Sequence, residues 1–108
     1  MTQPVSHRLI NQLIEFTTDS RQQAALVAAL LDQVERFTCT YPGFISATVQ
    51  ASDDGQRVLN QVLWQSRTAS EEALCNAEQD FTAFLREHRV TAVNFNAYQV
   101  LGRVTPTR

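Results

Sequence analysis

Long apolar runs, clustered cysteines, glycine-rich loops and blocks of like charge are all missing from this chain of 108 residues. No segment approaches the length needed to cross a bilayer. The N-terminal MTQPVSHRLI carries no apolar stretch ending in a small-residue cleavage site, so a cytoplasmic location is the expectation. Cys39 and Cys75 are far apart and have no partner cluster, which argues against both a disulfide framework and a zinc site. Each reads first as a small buried apolar residue and second as a reactive thiol, and the two are expected to be unbridged. A formal net charge of −2 without a basic cluster leaves no electrostatic footprint for nucleic acid or an anionic membrane. CxxC, HExxH, GxSxG and phosphate-loop patterns are absent too, and His7 and His88, the only histidines, do not make a metal site by themselves.

What is present is an ordinary globular composition, 44% hydrophobic and 19% charged, in a chain long enough to bury a core without metals or crosslinks. No repeat or linker divides it, so residues 1–108 are expected to form a single domain. After a loose leader at 1–7, Arg8–Thr17 reads as a strand with apolar residues on both faces. Asp19 or Ser20 is placed to cap a helix over 21–38, whose stripe of Leu26, Leu30, Val34 and Phe37, widened by Val27 and Leu31, predicts packing on a sheet. Tyr41-Pro42-Gly43 ends it. Strands at 44–51 and 57–65, joined across Asp54-Gly55, predict a hairpin. A second helical region is expected in two parts, 69–77 and 79–89, the latter with Phe81, Phe84, Leu85 and His88 on one stripe. A last strand is expected over 92–104. Strand, helix, strand, strand, helix, strand is the split βαβ order. With only two helices to cover sheet faces, a face-to-face dimer is the expected way to bury the second face.

Along the second hairpin strand, period-2 alternation places Val58, Asn60, Val62 and Trp64 on one face. Such a face can be an ordinary core in which the asparagine and tryptophan find local partners, or the wall of a pocket. His88 likewise reads either as a satisfied helix residue or as a ligand.

The run Pro42-Gly43-Phe44, Ser46-Ala47-Thr48, Asp54-Gly55, Val58, Asn60, Trp64 and Ser66 resembles the antibiotic biosynthesis monooxygenase family. That resemblance spans essentially the whole chain. It implies an α+β, ferredoxin-like domain with an antiparallel sheet, helices on one face, and dimerisation through the sheets. It further implies oxygen chemistry on an aromatic or polyphenolic substrate, of the anthrone or quinol oxidation type, with no bound metal or flavin. Asn60 would hydrogen-bond the substrate oxygen or a peroxy intermediate, and Trp64 would form an aromatic wall or donate its N–H. Val58 and Val62, with Phe81, Phe84, Arg86 and His88 of the second helix, would complete the substrate site. Arg86 corresponds to the family's helix arginine. Ser70 stands where the anthrone-oxidising pattern has a tyrosine, so a phenolic proton donor is missing there.

A haem-degrading branch of the same family uses a first-strand asparagine, the tryptophan and a helix histidine as axial ligand. Here Asn11, Trp64 and His88 fall in roughly those places, with His88 about one turn late. A third reading is a small-molecule binding module without catalysis, since fold does not set function.

Overall fold

The computed structural model describes residues 9–107, the side chains of 77–80 excepted. The expected leader with His7, and the strand's expected first residue Arg8, lie outside the described residues. The elements follow the split βαβ order: β1 (Ile10–Thr17), α1 (Gln23–Arg36), a short 3-10 turn (Thr38–Thr40), β2 (Phe44–Ala51), β3 (Arg57–Trp64), α2 (Arg67–Glu87) and β4 (Ala92–Gln99). The strands form one four-stranded sheet in the order β2-β3-β1-β4, with every neighbouring pair antiparallel. Both helices pack on the face that carries Ile10, Ile14 and Phe16 of β1 and Val58, Val62 and Trp64 of β3.

Local chemistry accounts for the boundaries. Asp19 caps the turn that leads into α1 rather than the helix itself: its Oδ1 accepts from the N–H groups of Arg21 and Gln22 at 2.9 and 3.1 Å. The helix then stops at Arg36, earlier than the periodicity predicts, and Phe37, the last residue of the expected stripe, is left 59% exposed beyond its end. Leu31 is exposed as well, so burial on α1 concentrates on Leu26 and Leu30. The second helix is one continuous element of 21 residues, not the two expected pieces. No glycine or proline falls between Arg67 and Glu87 to interrupt its backbone. Ser66 caps it, accepting from the Ala69 N–H at 3.1 Å.

At its other end α2 closes in a Schellman motif: the Val90 N–H reaches the Leu85 carbonyl at 2.9 Å and the Arg89 N–H reaches that of Arg86 at 3.2 Å. Arg89, at φ 55°, holds the left-handed position usually given to glycine. The last strand ends at Gln99, not at Val104. Beyond one further bond, from the Val100 N–H to the Leu9 carbonyl, the chain runs on as an exposed extension in which Val104 is 97% accessible.

Gly43 is the turn residue on which the site depends. Its φ is +87°, and a Cβ there would come within 2.5 Å of the Ala69 Cβ. Its carbonyl accepts from the Gln65 N–H at 2.8 Å. The absence of a side chain thus lets the start of β2 lie directly against the first turn of α2 and brings Tyr41 alongside the sheet.

The core has two parts. One collects Ile14, Phe16, Leu26, Leu30, Val58 and Phe84; the other collects Ile10, Val62, Trp64 and Ala73, with Tyr41 and Phe44 packed against it. Gln12 separates Ile10 from Ile14 on β1, and Asn60 separates Val58 from Val62 on β3. Both polar side chains are buried, and the register pairs Ile14 with Asn60 and Gln12 with Val62, so they lie on adjoining rungs. Two buried carboxamides on neighbouring rungs thus interrupt the apolar surface of one sheet face.

Candidate functional site

A cavity of about 340 Å³ opens at this interruption. Its floor is the sheet, through Gln12 and Ile14 of β1, Asn60, Val62 and Trp64 of β3, and Phe95 of β4. Ala73, Leu74, Cys75 and Phe81 of α2 form the roof, and Gln33, Thr38 and Tyr41 close the side toward α1. The size and mixture, largely apolar with a few converging polar groups, suit a small organic ligand.

Asn60 is 7% exposed, and its Oδ1 has no hydrogen-bond partner among the described residues. A buried carbonyl oxygen left without a donor costs on the order of 1–3 kcal/mol. Its position on the cavity floor makes a bound hydroxyl or a water the natural partner. Trp64 is 1% exposed, stands edge-on to Phe44 with ring centroids 5.9 Å apart, and donates its Nε1–H to Gln12 Oε1 at 3.3 Å. That donor is therefore engaged within the protein, and the indole faces the cavity as an aromatic wall. Phe81 gathers the remaining rings, its centroid 6.1 Å from Phe16, 6.4 Å from Phe84 and 5.6 Å from Phe95.

Of the residues singled out in the sequence, Asn60, Trp64, Val62 and Phe81 meet around the cavity. Val58 and Phe84 belong instead to the neighbouring part of the core. Arg86 is exposed near the C-terminal end of α2. His88 caps that end; its ring lies 4.7 Å from Phe84, and its carbonyl accepts from Thr18 Oγ1 at 3.2 Å. Thr18 follows the end of β1 opposite to Ile10, the residue paired with Trp64, so His88 and Trp64 sit at opposite ends of the sheet. Asn11 is on the other sheet face, paired with Leu63. The Asn11, Trp64 and His88 grouping expected of a haem site is not assembled.

Cys39 and Cys75 are free and exposed, not buried as expected. Among the described residues no group of three or more His, Cys, Asp or Glu side chains could hold a metal ion. No helix among them is long and apolar enough to cross a membrane.

Gln12 and Tyr41 were not singled out as site residues in the sequence, and Cys75 was read there first as a buried apolar residue and only second as a reactive thiol. The signal for Gln12 was the same as for Asn60, an amide within the alternating apolar face of Ile10, Ile14 and Phe16. Tyr41 sits in a turn and Cys75 on an exposed helix face, and neither position carries a periodicity that would place it.

No protein-family model matches the sequence, and no curated protein matches it. Solved structures do. A monooxygenase from Streptomyces coelicolor, the ActVA-Orf6 gene product, in complex with nanaomycin D, is 22% identical, with 94% of this chain and 95% of that one covered and a TM-score of 0.76. A Nitrosomonas europaea protein proposed to be an antibiotic biosynthesis monooxygenase is 12% identical, with coverage of 93% and 96% and a TM-score of 0.70. The fold is that of the antibiotic biosynthesis monooxygenases. A variant of SnoaB, a cofactor-independent oxygenase from Streptomyces nogalater, is also similar, at 16% identity, coverage of 91% and 98%, and a TM-score of 0.65.

Proposed function

We propose that this chain is a cofactor-independent oxygenase of the antibiotic biosynthesis monooxygenase family, acting on a flat phenolic substrate of the anthrone or quinol type. The observation that carries the reading is the Asn60 Oδ1, buried on the floor of an aromatic-lined cavity without a partner among the described residues. A neutral phenol donates to Asn60 Oδ1. Once the substrate proton has passed to solvent at the cavity mouth, rotation of the amide presents its N–H to the oxyanion. The electron-rich anion then reduces dioxygen. In the anthrone case one oxygen atom ends on the ring carbon as a carbonyl and the other leaves in water, so the substrate supplies all the electrons.

Preorganised donors in a site that excludes water stabilise such charge far better than solvent does. Trp64 and Phe81 bound the ring plane, and the Gln12 bond fixes the Trp64 ring. Tyr41 brings a phenol to the same cavity, the proton-carrying group absent at Ser70. The Streptomyces coelicolor relative holds nanaomycin D and SnoaB is a cofactor-independent oxygenase, which supports a substrate of this class.

The test is oxygen uptake with a dihydroxyanthrone, read together with appearance of the quinone chromophore. Uptake that depends on Asn60 supports the reading. Tight binding of the anthrone with no uptake would make the domain a binding module instead.

A further inference from the structure

Cys75 belongs to the cavity, and its chemistry is unused by the proposed oxygenation. It is a free, exposed thiol on α2. It lines the cavity roof and also a shallow outer depression with Thr68, Glu71, Glu72 and Asn76, so it stands where the cavity meets solvent. A cysteine alone would say little. The second observation is the buried Asn60 Oδ1, which lies within the same cavity and lacks a donor among the described residues. A ligand held there by one oxygen on Asn60, with its rings between Trp64 and Phe81, presents its far edge to the α2 roof.

We propose that Cys75 is a covalent capture site for para-quinones bound in this cavity. The proposal rests on the oxygenase reading only in that substrates of the quinol type would give quinones with an open ring carbon; an anthraquinone, which has none, would bind without being captured. In the step, the Cys75 thiolate adds to an unsubstituted ring carbon conjugated to a quinone carbonyl. A C–S bond forms, the ring π bond supplies electrons to the carbonyl oxygen, and the thiol proton and the ring hydrogen end on the two oxygens as the ring re-aromatises. The quinone is thus reduced to a thioether-linked hydroquinone with no outside reductant. The thiolate is the attacking form. The adduct fills the cavity, and accumulated quinone would close the site.

Cys39 provides an internal control. It is also free and exposed, but its Sγ–H donates to the Glu35 carbonyl at 3.1 Å and it does not line the cavity. The full chain is treated under argon with 1,4-naphthoquinone, and in parallel with iodoacetamide, and labelling of each cysteine is followed by peptide mass spectrometry. Holding the electrophile beside the thiol should raise the Cys75-to-Cys39 ratio for the quinone at least about tenfold above that for iodoacetamide. Anthraquinone-2-sulfonate, which has no open conjugated carbon on its quinone ring, should slow capture at Cys75 and leave Cys39 unchanged. Equal ratios for the two reagents, or no protection by the competitor, would overturn the proposal. Because the quinone is added directly, capture can succeed where oxygen uptake fails, and the reverse, so each reading stands or falls on its own measurement.

Discussion

Asn60 is a case of a residue whose neighbours matter more than its type. A buried asparagine on a strand usually finds its partners within the protein. Here the side chains across the sheet rungs are Ile14 on one side and Val49 on the other, neither of which can donate to it. Asn60→Ala should leave the fold intact and lower kcat for anthrone oxidation on the order of 10²-fold, the scale associated with losing one oxyanion donor, with a smaller change in KM. Steady-state oxygen uptake checks this; unchanged kcat would return Asn60 to a packing role. The alternation that placed Asn60, Val62 and Trp64 on one face was legible in the sequence, because a strand's period of 2 admits only two faces. That Val58 and Phe84 would fall outside the cavity was not. Periodicity assigns a face but says nothing of which stretch of that face is covered by a helix.

Two element ends carry measurable terms. At the end of α2, Arg89 pays the left-handed penalty that glycine avoids, and Arg89→Gly should raise stability by roughly 0.5–1 kcal/mol, read as a shift in urea midpoint at constant slope. The hairpin turn behaves differently. The Ser52 hydroxyl, 2.6 Å away, and then the Gln56 N–H, 2.9 Å away, hold the Asp54 carboxyl below its ordinary 3.8. Its ionised form is thus the one the folded turn favours. The sign follows: the contribution is fully present above pH 3.8 and is lost as pH falls through the depressed value. Asp54→Asn should remove that acid-limb dependence in an NMR titration of the turn's amides. The hairpin itself was readable from Asp54-Gly55 between two apolar runs. The continuity of α2 was not, since its apolar positions thin out between Ala73 and Phe81 while its backbone has no cause to break.

For the whole molecule, the sheet face away from the helices sets the remaining expectation. It presents Leu13 of β1, Leu59 and Leu63 of β3, and Tyr98 of β4 among amides such as Gln50 and Gln61, which pair across the strands at 3.3 Å. This is less apolar than the sequence suggested, because Asn11, Glu15 and Thr17 share the Leu13 face of β1. Asn11 Oδ1 is buried there without a partner among the described residues. A second copy facing this sheet would cover the leucines and offer Asn11 a donor. Light scattering at micromolar concentration should give a dimer, and Leu59→Arg should give a monomer; a monomeric parent chain would refute the arrangement. Topology and layer order were legible because the strand and helix periodicities follow one another in the split βαβ order, whereas Tyr41 came to the cavity through the Gly43 turn, whose consequence appears only when the chain is folded.

The divided core also bears on how such a chain can change over generations. Gln12 and Asn60 keep apart two apolar clusters that would otherwise meet, so Asn60→Leu should join them and gain on the order of 1–3 kcal/mol by removing an unmatched buried oxygen. Thermal denaturation would show that variant melting higher, and the oxygen electrode would show it inactive. Random substitution tested for sturdiness alone should therefore drift toward leucine at position 60, while a requirement for turnover holds the asparagine in place. Which of the two pressures a library of variants has felt can be read from that one position.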